Sequence, residues 1–348
     1  MLRKPTRLKS ALPALLFVLL GHVGISQAEI FTQERDNWQQ NVPLPFSFAL
    51  IGDLPYEEAD LVKFDRLIDD INQDPSVRWV VHTGDIKSGS SLCNEALFSE
   101  RLQTYQHFQR AFIYTPGDNE WTDCHRAAAG GYAPLERLQV IRRMFFTQPG
   151  RSLGQHPITV QSQAQDPQYP EFVENLRWQR AGVVFATLHV VGSNNALAPF
   201  ATRTAADDAE VARRTQADLA WLRQSFEVAR QRNAKGIFFA MQADPAFEAK
   251  PGSPERLGFD ALLLELERQT IAFGRPVLLA HGDSHYFRLD KPLKGTVDGR
   301  LLENFTRVEN FGERDVHWVK ITVNPLSAEV FSVQQEIIAE NLETHPVP

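Results

Sequence analysis

Four aspartates in this chain stand where an open α/β sheet gathers its ligands. Asp53, Asp85, Asp118 and Asp283 each follow a glycine, and each Gly-Asp pair closes a short apolar run or a proline turn. One Gly-Asp pair is ordinary turn and helix-cap chemistry. Four at equivalent positions, with His285 two residues after the last, point to acids that converge beyond the carboxyl ends of strands. Two carboxylates ~5 Å apart repel by roughly 3 kcal/mol at an effective dielectric of ~20. Four of them stay ionised in one pocket only around a cation, and otherwise some hold protons. Oxygen donors favour a hard divalent ion such as Mg, Mn or Ca, and the one imidazole extends the choice toward Fe or Zn.

Acids far apart in sequence meet only if strands deliver them to one edge. Apolar runs at 46–51, 77–82 and 111–114 precede the first three pairs, and the run 276–280 leads to His281 and the fourth. Between them lie segments of helical period. In 58–71, Leu61, Phe64, Leu67, Ile68 and Ile71 share one side, and 94–110, 208–233 and 259–273 read the same way. Further strands are expected at 182–191, ending in the loop Gly192-Ser193-Asn194-Asn195, and at 236–241, ending at Gln242. Strand and helix alternate as in a parallel sheet with crossover helices. After Tyr286 the pattern changes to short strands, at 305–308, 316–323 and 328–333. The polar stretch 161–169 reads as a surface insertion. His189, His281 and His317 lie in or beside apolar runs and read as core histidines.

Taken in order, Gly52-Asp53, Gly84-Asp85, Gly117-Asp118-Asn119-Glu120 and Gly282-Asp283-Ser284-His285 resemble the calcineurin-like metallophosphoesterases. That family's pattern is Asp-x-His, Gly-Asp, Gly-Asn-His-Asp/Glu, a lone His and Gly-His-x-His. The resemblance runs from about residue 46 to 333. It implies an α/β fold of four layers, an α/β/β/α sandwich, and metal-dependent hydrolysis of a phosphate mono- or diester. Asp53, Asp85 and His285 match family ligands outright. Asp118 stands in place of the ligand asparagine, Asn119 in place of the following histidine, Gln242 in place of the lone histidine, and Asp283 in place of the first histidine of the last motif. The resemblance thus implies one or two ions: a first on Asp53, Asp85 and His285, a second on Asp85, Asp118, Asp283 and Gln242. The histidine of Asp-x-His is lost to Pro55, while at Asn119, Gln242 and Asp283 imidazole gives way to oxygen-bearing side chains, which shifts the expectation toward a harder ion. Asn119 and Arg126 are the candidates for steadying departing charge. Lys87, His125 and Asn194 are the candidates for holding the substrate.

The ends and the charge bound the rest. Residues 1–28 read as a secretory signal: Arg3, Lys4, Arg7 and Lys9 precede the apolar run 11–23, and Ser26-Gln27-Ala28 suits signal peptidase. That run is short of the roughly 20 residues that span a bilayer. No stable membrane insertion is expected, and the mature chain is expected to be periplasmic or secreted. Residues 29–45 form a polar lead-in, 46–335 the catalytic-type domain and 336–348 a tail. Losing four positive charges takes the formal charge from −7 to −11, which argues against nucleic acid as a standing partner. A small phosphorylated substrate remains compatible, because a local ion overrides a global field. Cys93 and Cys124 are the only cysteines, and an exported chain permits their pairing. A second class of function stays open: a non-catalytic metal- or ligand-binding protein on the same fold. A serine nucleophile is not expected, because Ser284 lies between the presumed ligands Asp283 and His285.

Overall fold

The apolar runs that lead into the first three Gly-Asp pairs form the heart of one sheet. The structure, a computed structural model, describes residues 44–343 and the first two residues. The expected leader and nearly all of the lead-in therefore lie outside the described residues, as do residues 344–348 of the tail.

Strands β1 (Phe46–Ile51), β2 (Val77–His82) and β3 (Ala111–Tyr114) pair in parallel. Antiparallel β11 (Trp318–Val323) and β12 (Phe331–Glu336) extend the other flank, giving the order β12-β11-β1-β2-β3. A second sheet holds β4 (Gln161–Ser162), β5 (Leu176–Arg180), β6 (Val183–Thr187), β7 (Gly236–Ala240), β8 (Val277–His281), β9 (Arg288–Asp290) and β10 (Phe305–Glu309). Its order is β4-β5-β6-β7-β8-β10-β9, with β6, β7, β8 and β10 parallel.

Alternation along the strands sets the layers. Phe46, Phe48 and Leu50 of β1 meet Phe238 and Ala240 of β7 and Leu278 and Ala280 of β8 in a core between the sheets. Phe48 lies edge-on to Phe238 across that gap, with ring centroids 4.9 Å apart. The intervening residues face outward onto helices. Ala49, Ile51 and Val80 pack under α1 (Glu58–Gln73), α2 (Glu95–Tyr105) and α3 (Pro134–Phe145). Ile237, Phe239 and Leu279 pack under α4 (Ala205–Gln231) and α5 (Asp260–Phe273). The result is an α/β/β/α sandwich, the expected fold class. Helix starts are chemically marked. Glu57 and Asp60 close a capping box on α1, and Asn94 Oδ1 accepts from Leu97 N at 2.8 Å ahead of α2.

Some local expectations are corrected. The stretch 161–169 is not a simple surface insertion. It supplies edge strand β4, and Gln163 is buried, donating to Ala217 O of α4 at 2.8 Å. The strand expected at 182–191 ends at Thr187. Beyond it Val190 O accepts from Gln242 N and Ala243 N, both at 3.1 Å, and so fixes the chain that follows β7. The helix expected at 94–110 ends at Tyr105, and α3 and β5 were not foreseen. No helix among the described residues is long and apolar enough to cross a membrane.

Candidate functional site

The carboxyl ends of β1, β2 and β3 meet those of β6, β7 and β8, and the acids stand at that junction. Asp53, Asp85 and Asp118 are buried and Asp283 is partly exposed, and Asp53, Asp85 and Asp283 have φ of 55°, 56° and 80°. These left-handed turns are uncommon for residues with a Cβ and cluster at functional sites. The glycine before Asp118 has a spatial reason. A Cβ on Gly117 would lie 2.0 Å from Asp85 Oδ1, so glycine lets one loop close against the next loop's carboxylate.

Asp85, Asp118 and Asp283 each offer an oxygen, all within 4.8 Å of one another. Gln242 sits against all three. Its Oε1 accepts from Gly192 N at 2.5 Å, so its Nε2 faces the acids, 3.3 Å from Asp85 Oδ2, 3.4 Å from Asp118 Oδ1 and 3.1 Å from Asp283 Oδ1. Ser193 Oγ lies 2.9 Å from both Asp118 Oδ2 and Asp123 Oδ1, held by a left-handed turn over 193–195.

Asp53 and His285 stand beside this triad. Asp53 Oδ1 accepts from Asp283 N at 3.0 Å and Oδ2 from Asn310 Nδ2 at 2.8 Å. His285 Nε2 is 3.7 Å from Asp53 Oδ1. Between His285 and Asp85 stands the hydroxyl of Tyr56, 3.0 Å from Nε2 and 3.2 Å from Asp85 Oδ2. Among the described residues the triad is the one acidic or imidazole group close enough to share an ion. Asp53 and His285 are neighbours of it, not part of it.

Burial drives the electrostatics. It raises Asp53, Asp85 and Asp118 well above the ordinary carboxylate range, with mutual repulsion adding to each. Asp283 is raised to about 6 by burial, with Asp244 and Asp123 contributing. Burial likewise raises Tyr56, which stays a neutral hydroxyl. Lys87 is fully buried with Nζ on Ser88 O at 2.7 Å, and desolvation lowers it despite nearby Glu120 and Asp85. The donor set fits a hard divalent ion: three clustered carboxylate oxygens with little positive charge to balance them.

The remaining candidates fall in different places. Asn119 braces Asp85 twice, its N 3.1 Å from Oδ1 and its Nδ2 2.8 Å from Oδ2. Arg126, half exposed, pairs with Asp123 Oδ2 at 2.6 Å. His125 stacks on Phe200 with ring centroids 4.3 Å apart. Asn194 is tied to the 254–258 loop through Pro254 O and Gly258 N. Trp121 is buried beneath the Arg214 guanidinium, 5.4 Å from the ring centroid. Cys93 and Cys124 form a disulfide with Cα atoms 5.8 Å apart, joining the loops that carry Lys87 and Asn119. Sequence reasoning missed Tyr56, Ser193 and Asn310. Asn310 directly follows β10 as the acids follow their strands, and that position was the available signal.

No family model matches the sequence, and no curated protein matches it. Solved structures do resemble the fold. GAP50, the anchor in the inner membrane complex of Plasmodium, aligns at 10% identity and TM-score 0.46, over 84% of this chain and 89% of its own. PhoD aligns at 12% identity and TM-score 0.43, over 82% of this chain and 65% of its own. The phosphopantetheinyl hydrolase PptH from Mycobacterium tuberculosis aligns at 14% identity and TM-score 0.38, over 77% of this chain and 90% of its own. At these scores and identities the likenesses assign neither a family nor an activity.

Proposed function

We propose that this protein is a metal-dependent phosphoesterase, a divergent relative of the calcineurin-like enzymes, that acts outside the cytoplasm. One observation carries the reading: Asp85, Asp118 and Asp283, from three separate strand ends, bring oxygens within 4.8 Å of one another. These three residues would hold one hard divalent ion, with Asp53 and His285 at its flank. Bound there, the ion would supply a Lewis acid for the phosphoryl oxygens and a hydroxide nucleophile near neutral pH. Asn119 holds Asp85 in place, and its Nδ2, which donates to Asp85 Oδ2 at 2.8 Å and to Tyr56 Oη at 3.2 Å, would turn from the Tyr56 hydroxyl to donate to a phosphoryl oxygen. Arg126 lies close enough to Asn119 that a Cβ on Gly89 would touch both side chains, at 2.7 and 2.9 Å. It is the loop cation best placed to meet departing negative charge. Lys87 adds a buried positive charge behind the acids. The disulfide and the basic-apolar leader support an oxidising compartment outside the cytoplasm.

An amide cannot shuttle a proton, so Asn119 leaves the departing alkoxide unprotonated. Aryl phosphates and anhydrides should therefore turn over much faster than alkyl phosphates. A screen of nitrophenyl and alkyl mono- and diesters with Mg, Mn, Ca and Zn tests this. Equal rates on both leaving groups would defeat the proton argument.

A second reading has its own support. Asp53 accepts hydrogen bonds on both oxygens and Tyr56 stands between Asp85 and His285, an arrangement suited to a protein that binds a metal or ligand without turnover. Ion binding by calorimetry with no hydrolysis of any ester in the screen would select that reading.

A further inference from the structure

A different constellation lies on the outer face of the second sheet, among β5, α4 and α5. Its central residue is Arg177 of β5, which is 4% exposed. Its partners are neutral. Nε and Nη2 donate to Gln161 Oε1 at 3.1 and 2.6 Å, and Nη1 donates to Ser225 Oγ at 3.3 Å. The guanidinium lies 4.1 Å from the ring centroid of Trp221. These bonds use three of the five N–H groups. No carboxylate among the described residues forms an ion pair with it, whereas buried charges are ordinarily paired. Burial alone pushes the guanidinium down to about 10.

Arg177 lines an open groove of about 460 Å³, together with Arg223 and Arg230 of α4. Those two side chains are 45% and 35% exposed. Glu227 is the single acid in the lining and pairs with Arg230 Nη2 at 3.0 Å. Glu265, outside the lining, reaches Arg223 at 3.5 Å, but Arg268 and Gln269 already hold its oxygens. Within the groove, three guanidinium groups face one carboxylate.

We propose that this groove binds a dianionic oxyanion of the phosphate class, with Arg177 at its base and Arg223 and Arg230 closing on it from the rim. Guanidinium forks suit the geometry of such an ion, and two uncompensated positive charges match two negative ones. The chain's acidic balance excludes a polyanion as the occupant. The ligand is a free phosphate or the phosphate of a small monoester. None of the groove residues belongs to the carboxylate site, so the inference stands independently of the proposed reaction.

The test uses metal-free protein in excess chelator, where the carboxylate cluster repels anions. Thermal unfolding is followed in 20 mM sodium phosphate, in 20 mM glycerol 3-phosphate and in sodium chloride of equal ionic strength. For a millimolar dissociation constant, Tm should rise by about 3 °C over chloride. The rise should fall below about 1 °C in Arg223→Ser/Arg230→Ser, whose exposed side chains can be removed without opening the core. Arg177→Met should lose the response too, and if it fails to fold the double variant still decides. A larger response to the ester than to phosphate assigns the groove to esterified phosphate, and the reverse assigns it to the free ion. Identical Tm in phosphate, ester and chloride overturns the proposal. So does a rise that survives in the double variant, because phosphate salts stabilise proteins generally by exclusion.

Discussion

Replacing Asp283 by Asn separates the metal's contribution from the fold's. Asp283 is raised to about 6, chiefly by burial, against roughly 3.9 in an unfolded chain. A raised carboxyl pKa means that the native state holds the proton more tightly than the unfolded state. The stabilisation is complete below about pH 4 and is lost as pH rises through 6. Two pKa units correspond to about 3 kcal/mol. Metal-free wild type should therefore lose about 2 kcal/mol between pH 4.5 and pH 7.5 that Asp283→Asn, which cannot ionise, does not lose. Added divalent ion should reverse the order. An ion at 100 times its dissociation constant stabilises wild type by ~2.7 kcal/mol, while the variant has lost one of three oxygen ligands. Urea unfolding followed by tryptophan fluorescence, at pH 4.5 and 7.5, with chelator and with Mg, Mn or Ca, gives all four corners. The reasoning fails if the variant follows wild type across pH in chelator, or if the ion stabilises both equally.

Two further outcomes follow from the same geometry. A Cβ on Gly192 would lie 2.7 Å from both Asp118 Oδ2 and Asp283 Oδ1, so Gly192→Ala should leave the circular dichroism spectrum unchanged. Ion affinity, measured by calorimetry, should fall at least about tenfold, the scale of losing a support to a metal ligand. Cys93→Ser/Cys124→Ser should cost about 3.5 kcal/mol in urea unfolding, from the 31-residue separation the bond closes. Under reducing conditions that difference should vanish.

The fold was legible wherever two periodicities did not conflict. In β1 the inward Phe46, Phe48 and Leu50 alternate with the outward Ala49 and Ile51, and both sets are apolar because both faces of the sheet are covered. A continuous apolar run is what a doubly covered strand produces. β5 escaped notice for the opposite reason. It carries Arg177, Gln179 and Arg180 beside Leu176 and Trp178, and its guanidinium at 177 is buried against Trp221, so polarity misreported burial. The stretch 161–169 misled in the same way. Gln163 looks like a surface residue, yet its amide is satisfied by Ala217 O and Asn175 Nδ2 beneath α4.

The acids of the site could be read because each Gly-Asp turn is a local feature of its own strand end. Tyr56 could not, and Gln242 could be read only as the counterpart of a family histidine, because their roles exist only where two sheets meet. The hydroxyl of one and the amide of the other solvate the acids, yet neither brings positive charge. Hydrogen bonds to neutral donors ease burial without cancelling the repulsion, about 3 kcal/mol for each ionised pair at this spacing. Among the described residues, Lys87 is the one buried lysine. Asp53, Asp85, Asp118 and Asp283 must therefore hold protons or share an ion. At pH 7.5 a group at about 6 keeps its proton in only about 3% of molecules. Asp283 is thus largely ionised there, and a divalent ion bound to it has no proton to displace. Ion uptake should therefore weaken as pH falls through about 6, where Asp283, which supplies one of the three clustered oxygens, takes up its proton.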